Sequence, residues 1–320
     1  MAKSGAAPLI LSNGDIESLR IDREDITLAV EDAFRALHAG DADAGNRMSV
    51  AVSPGSRFTA KGGALRTRGY AAVKWYGVIA NNDRRGLPDF TPLVILSSTE
   101  TGLPLAVMDG QWLTAVRTAS ITAAAAGVLA RPGSSSAGFV ACGTQAESNL
   151  LALMPRFPLK RIVAYSRKPS SAERFAAKAR ELGLTAEVAT LPQEAIREVD
   201  IVVTTVPRLS KPTRFLDAAL LSPGTFVSMV DMGFAWNERT LGCFDEVFTD
   251  AFERGTRRSG EILNYAGAFA ADLGEVLANP GKWRADAHSR RGLVFAGSGV
   301  ADVAAAAVIY ERAIAVRRWT

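Results

Sequence analysis

From residue 137 onward the chain repeats one pattern, in which a short β-branched run leads through a turn of small residues into an amphipathic stretch. Strand signals fall at 137–141, 161–165, 186–189, 201–205 and 225–229, with helical spacing at 145–154 and 171–182. Successive parallel strands cannot be joined by tight hairpins and need crossover segments, so this alternation predicts a parallel sheet covered by helices. The region before it reads differently. Residues 26–38 carry apolar side chains at helical spacing behind Asp22-Arg23-Glu24-Asp25, whose acidic groups suit the unpaired amides of a helix start. Residues 71–78 and 92–97 are β-branched or aromatic and bounded by Gly, Pro and Asn, the chemistry of strands and turns, and antiparallel pairing is expected there. An alanine-rich helix over 114–130 stops at Arg131-Pro132-Gly133 and marks a boundary, and an apolar helix over 300–316 closes the chain.

The expected fold class is therefore α/β: a doubly wound, Rossmann-type sheet over 121–295, inserted into a mixed α+β domain formed by 1–120 plus 296–320. A chain of 320 residues with 48% apolar content can bury one large core or two ordinary ones. A net charge of +4, without a Lys/Arg run interleaved with aromatics, gives no nucleic-acid surface. Cys142 and Cys243 are too few for a disulfide framework, and His38 and His288 have no companions at metal-ligand spacing. Apolar runs such as 121–130 fall short of the roughly twenty residues that span a bilayer, so no membrane segment is expected. The opening Met1-Ala2-Lys3-Ser4-Gly5 lacks an apolar stretch of signal-peptide type, which predicts a cytoplasmic protein.

The turn after the first strand of the repeat reads Gly138-Phe139-Val140-Ala141-Cys142-Gly143-Thr144-Gln145-Ala146. A dinucleotide turn needs small residues where the backbone approaches pyrophosphate, over the free amides of the next helix. Gly143 meets that need, with Thr144 and Gln145 opening the helix. Ala141 stands where a first glycine is usual, and is tolerable if its φ stays negative. The second strand ends Tyr165-Ser166-Arg167-Lys168, with no carboxylate to bind a free ribose 2′-hydroxyl. A hydroxyl beside two cations suits a 2′-phosphate, which favours NADP(H) over NAD(H).

Six stretches in this order carry a family resemblance: "LTAVRTASITAAAAGVLA", "GFVACGTQA", "VDIVVTTVP", "SGEI", "DLGEVL" and "VFAGSGVADVAAAAVIYERA". From about Arg47 to the C-terminus the chain resembles the ornithine cyclodeaminase/μ-crystallin family. The resemblance implies a homodimer whose first and last segments build a substrate-binding and dimerisation domain around a central Rossmann domain. It singles out Arg47, Lys74 and Arg117 as binders of a substrate carboxylate. It further implies that Thr118 reaches toward the cofactor phosphates, that the Thr204-Thr205-Val206 segment belongs to the cofactor site, and that a catalytic aspartate follows the strand ending at Met229. Three positions depart from the family's pattern: its aspartate stands six residues before a glutamate whereas Asp231 stands seven before Glu238, Gly297 stands where relatives tend to have serine, and Asp302 comes sooner.

Physical chemistry supports these positions independently. Charge-assisted hydrogen bonds from cations hold a carboxylate, and Lys74 sits on an apolar strand where an unpaired ammonium is costly, so a ligand carboxylate or a buried partner must compensate. Of Trp75 and Tyr76, one is expected to face the pocket unless both are core. Asp231 follows a parallel strand at the edge where such sheets bind ligands, and is the candidate proton handler, with helix capping or a solvated role as its alternative. Between Asp43 and Asp83 the chain carries Arg47, Arg57, Lys61, Arg66, Arg68 and Lys74 and no acid. That field raises the expectation of a second anionic group on the substrate.

Reduction of a 2-imino acid by NAD(P)H to an amino acid, or the reverse dehydrogenation, fits these parts. Ornithine-type cyclodeamination ranks lower, because members with that activity place a glutamate between the positions of Arg47 and Lys74 and this chain has none. A non-catalytic NADPH-binding protein is the third reading. The expected partner is a small anionic imino or amino acid.

Overall fold

The computed structural model describes residues 7–207, 214–250, 265 and 267–317. The "SGEI" stretch and the opening Met1 to Gly5 lie outside the described residues. The chain divides into two compact units, Met1–Arg117 with Ser298–Thr320, and Thr118–Gly297.

The first unit runs β1 (Leu9–Leu11), α1 (Asn13–Ser18), α2 (Arg23–Ala39), β2 (Ala42–Ala44), β3 (Met48–Ser53), β4 (Ser56–Leu65), β5 (Tyr70–Val78), β6 (Phe90–Ser98) and β7 (Pro104–Asp109), into α3 (Gln111–Leu129). Helix α2 begins where its charges allow: Asp22 caps the Glu24 amide, and Gly40 ends it in the left-handed region at φ 83°. The sheet order is β1-β7-β6-β5-β4-β2, with β3 also pairing on β4, and every pairing is antiparallel except β1 with β7. The three-residue β2 and the six-residue β3 are too short to stand out in the sequence, whereas the nine-residue runs of β5 and β6 are not.

The second unit runs β8 (Ser136–Val140), α4 (Thr144–Leu153), β9 (Arg161–Tyr165), α5 (Pro169–Glu181), β10 (Thr185–Val188), β11 (Ile201–Thr204), β12 (Phe226–Met229), β13 (Glu246–Thr249), α6 (Leu273–Ala278) and β14 (Arg291–Val294). All its strands are parallel, in the order β10-β9-β8-β11-β12-β14-β13. The chain winds outward to one side from β8 through β9 and β10, then returns to start the other side at β11, so the carboxyl ends of β8 and β11 form the switch point where such sheets take ligands. This is the Rossmann-type sheet expected from the alternation, extended by β13 and β14.

The C-terminal part of α3 belongs to this second unit. Ala119 and Ala123 pack against Ala152 of α4, and Thr122 Oγ1 lies 2.8 Å from Ser228 Oγ on β12. By length and composition α3 could cross a bilayer, contrary to the shorter apolar runs expected, but most of it is buried. Its alanines are small because two layers must approach closely, which makes it a core helix.

The chain then returns to the first unit as α7 (Gly299–Arg317), lying on β4, β5 and β6 and against α2. Ala304 to Ala307 are fully buried, so α7 is apolar because it is enclosed. The closest approach is at its first residue. A Cβ at Gly299 would sit 1.9 Å from the Gly62 carbonyl oxygen, a backbone atom that cannot swing aside. Gly299→Ala must lift the start of α7 off the sheet and should lower stability by roughly 1–3 kcal/mol or more in urea unfolding, as overpacking does. Gly133→Ala, where an added Cβ meets nothing within 4 Å, should stay within about 0.5 kcal/mol. Equal effects from the two substitutions would mean that this contact does not set the packing of α7.

Candidate active site

Strand β5 alternates between a covered and an open face. Ala72 and Lys74 point to the covered side, while Val73 and Trp75 point outward. Lys74 is therefore a core residue, 1% exposed, and its compensating partner is Asp302 in the first turn of α7, 2% exposed. Lys74 Nζ donates to Asp302 Oδ1 at 2.7 Å. Arg117, 8% exposed on α3, places its Nε 2.9 Å from the same oxygen as an ion pair. Asp302 Oδ2 is buried and accepts no hydrogen bond. Burial tends to raise the Asp302 carboxyl, but the Arg117 and Lys74 cations outweigh it and hold the group below its ordinary value. Lys61, paired with Lys74 across β4 and β5, adds to that field. Burial, and next the Arg117 cation, bring Lys74 down to about 8 against the pull of Asp302.

The cluster thus sets two cations against one carboxylate. At neutral pH Lys74 and Arg117 are both charged, and one positive charge is left over at a depth where an uncompensated charge is expensive. Tyr76 lies on the same face of β5, with Lys74 Nζ 5.8 Å from its ring centre. Trp75 faces the other way and stacks on Phe58. Arg47 is half-buried in the link between β2 and β3, apart from the ion pairs of Asp302. The wider cationic field is largely consumed within the protein. Arg66 pairs with Asp43 at 3.7 Å and donates to the Gly40 carbonyl, and Arg68 binds Glu311 at 2.7 Å. Those two cations are thereby withdrawn from the support for a second substrate anion.

In the second unit, the turn after β8 departs from expectation in one respect: Ala141 has φ +70°. The left-handed region costs an L-residue about 1–2 kcal/mol, and the surroundings hold it there. Its amide donates to the Tyr165 carbonyl at 2.8 Å, and its carbonyl accepts from the Thr205 hydroxyl at 2.8 Å. Thr205, expected as a cofactor contact, therefore has its hydroxyl engaged in shaping the turn. The fit of a dinucleotide rests on Gly143 and the start of α4. Gly143 is the N-cap of α4 and makes no side-chain cap, leaving the first amides of the helix without a side-chain acceptor. A Cβ at Gly143 would meet nothing within 4 Å, so the space above the turn is open to a phosphate. Thr144 is exposed beside it, and Gln145 is half-buried with an unpartnered Oε1. Ser166 is half-buried after β9, and Arg167 and Lys168 are exposed there, neither making an ion pair among the described residues. Val206 is half-buried, and Thr118 is buried on α3.

Asp231 lies just past β12 at the same strand edge. Its Oδ1 accepts from Thr204 Oγ1 at 2.9 Å and from the Gly233 amide at 3.1 Å, while Oδ2 is buried and closes no hydrogen bond. Burial raises its carboxyl to about 7, against the pull of the Thr204 hydroxyl and nearby amides. Its bond to the Gly233 amide two residues on is a turn-capping contact, and its burial is what sets it apart from a solvated aspartate and suits it to proton exchange near neutrality. Thr204 itself, expected among the cofactor contacts, is fully buried with its hydroxyl on Asp231. Sequence reading left Asp302 without a role. The signal was present, because a carboxylate on an apolar, alanine-rich helix needs a buried cation as much as Lys74 needs an anion. Among the described residues no group of three His, Cys, Asp or Glu side chains could hold a metal.

Comparison with known proteins shows the family and the fold. The model of the ornithine cyclodeaminase/mu-crystallin family matches residues 7–316. An alanine dehydrogenase of Archaeoglobus fulgidus is 32% identical over 317 residues, covering 96% of this chain and 95% of the relative. A Delta(1)-pyrroline-2-carboxylate reductase of Bacillus cereus is 27% identical, covering 76% of this chain and 77% of the relative. Among solved structures, an archaeal alanine dehydrogenase dimer with bound NAD superposes with a TM-score of 0.82 at 30% identity, covering 97% of each chain. The relatives are oxidoreductases of amino and imino acids, and this chain belongs to the ornithine cyclodeaminase/mu-crystallin family.

Proposed function

We propose that this protein is an NAD(P)H-dependent oxidoreductase that interconverts a 2-imino acid and the corresponding amino acid. The observation that carries the reading is the cluster of Lys74, Asp302 and Arg117, whose surplus of one buried positive charge suits a single carboxylate. Alanine and pyrroline-2-carboxylate, named in the relatives, share a carboxylate on the carbon bonded to nitrogen. A nicotinamide bound at the β8 turn would supply or accept the hydride at that carbon. Lys74 and Arg117, assisted by Arg47, hold the carboxylate, and Asp231 in its neutral form gives the proton that the imine nitrogen takes up. In the reverse direction the Asp231 carboxylate accepts that proton. Cyclodeamination is disfavoured because the residues between Arg47 and Lys74 offer no anion for a distal ammonium.

A screen of 2-oxo acids with ammonia, methylamine or amino acids, following loss of the reduced cofactor, tests this reading; absence of turnover with all of them would favour a non-catalytic binding protein. The pH dependence has a definite sign. Reduction needs Asp231 protonated and Lys74 charged, so kcat/KM should fall about tenfold per pH unit above about 7, and more steeply above about 8. Oxidation needs Asp231 ionised and Lys74 charged, giving a bell between the same two limbs. Asp231→Asn should cut kcat and kcat/KM together by about two to four decades and remove the lower limb. Lys74→Met should raise KM steeply. Unaltered kinetics in either variant would overturn the role of that residue.

Preference for NADP(H) over NAD(H) belongs to the same proposal, supported by the exposed Arg167 and Lys168 after β9 and by the lack of a carboxylate there. Neutral replacements at both positions should weaken NADPH binding at least about tenfold, given roughly 1.5–3 kcal/mol for each charge-assisted bond. NADH binding should barely move. An equal loss for both cofactors would refute the preference.

A homodimer is the proposed assembly. The outer face of the first sheet exposes Val73 and Trp75 beside Leu93 and Ile95, in register across β5 and β6, with Met48, Val50 and Val52 on β3. So continuous an apolar surface supports its use as that interface, and a dimer is named for the archaeal relative. Val73→Asp combined with Trp75→Arg should yield a monomer in sedimentation; a dimer that persists would place the interface elsewhere. Residence in the cytoplasm completes the proposal, and the free Cys142 and Cys243 suit a reducing compartment.

A further inference from the structure

We propose that Thr204, backed by Trp236, is a positioning residue that fixes which oxygen of Asp231 carries its proton. The inference deepens the reading of Asp231 as proton donor and rests on it. Thr204 ends β11 with its side chain fully buried. Trp236 Nε1 lies 3.4 Å from Thr204 Oγ1, and Thr204 Oγ1 lies 2.9 Å from Asp231 Oδ1. An indole N–H can only donate. Thr204 must therefore accept from Trp236, and its single hydrogen is directed to Asp231. The Gly233 amide, also only a donor, meets the same Oδ1 at 3.1 Å.

Two hydrogens thus converge on Oδ1, and a third on that oxygen would oppose both. The neutral carboxyl is then best served with its hydrogen on Oδ2, which is buried and closes no hydrogen bond, the Val206 and Ala235 amides acting on the carboxyl without bonding either oxygen. Oδ2 is then the oxygen that delivers and recovers the proton, while Oδ1 remains an acceptor in both protonation states. No charged side chain acts on Asp231 among the described residues; the groups that do are the Thr204 hydroxyl and the amides of Gly233, Val206 and Ala235. The Thr204 bond is accordingly the one side-chain contact that tunes how tightly Asp231 holds its proton.

Thr204→Val keeps the shape and removes the hydroxyl, so the anion loses a donor and the Asp231 carboxyl should titrate higher. Two readouts apply: the carboxyl-carbon NMR titration of Asp231 in aspartate-labelled protein without cofactor, assigned by its loss in Asp231→Asn, and the alkaline limb of the reduction. Both should move up by about one pH unit, as loss of a hydrogen bond to a charged group implies. Thr204→Ser should restore both. If the Val variant does not fold, Thr204→Cys, a weaker donor, should give a smaller shift in the same direction. A titration midpoint unchanged in these variants, whatever happens to Tm, would overturn the inference. If the NMR midpoint moves and the kinetic limb does not, the positioning of Asp231 stands and its part in the reaction falls.

Discussion

An ammonium group at a core position of a β-strand imposes more on this protein than any other single feature. Lys74 can be buried only beside an anion, and that anion, Asp302, comes from a helix 228 residues later in the chain. The chain must therefore leave the first unit, complete a second one and return. On returning, α7 has to lie close enough for a short aspartate to reach β5, and Gly299 against Gly62 makes that approach possible. Arg117, the last residue before the chain enters the second unit, then joins the same carboxylate oxygen. The ion pair adds a demand to the apolar packing of α7, because a misplaced partner would leave an ion unpaired in a low dielectric.

The second unit follows a similar logic at its ligand-binding edge. Two consecutive threonines at the end of β11 point to different tasks: Thr204 to Asp231, Thr205 to the carbonyl of the strained Ala141. One holds an acid and the other a turn. With those two side chains engaged internally, the turn after β8 offers Gly143 and the first amides of α4 as its open backbone, which suits a phosphate. The strain at Ala141 persists because the Tyr165 carbonyl and the Thr205 hydroxyl over-determine it.

The sequence by itself determined the elements whose periodicity is strong: α2, α3, β5, β6, α7 and the alternation from β8 to β12. It also determined the residue types of the site, since a lysine on an apolar strand and an aspartate after a parallel strand declare themselves wherever they occur. Local pattern carries that much because period and burial are coupled at short range. Strands β1 to β4, β7, β13 and β14 escaped it: most are only three to six residues long, and the ten residues of β4 carry Gly62 and Gly63 where strand-forming side chains would give a signal. Only the tertiary structure decided the pairings. That Lys74 is answered by Asp302, that Arg66 and Arg68 are answered within the protein, that Thr204 serves Asp231, and that Ala141 takes a positive φ all depend on residues far apart in sequence. Hydrogen bonds and ion pairs are made across space at about 3 Å, and a linear pattern of residue types carries no record of which donor meets which acceptor.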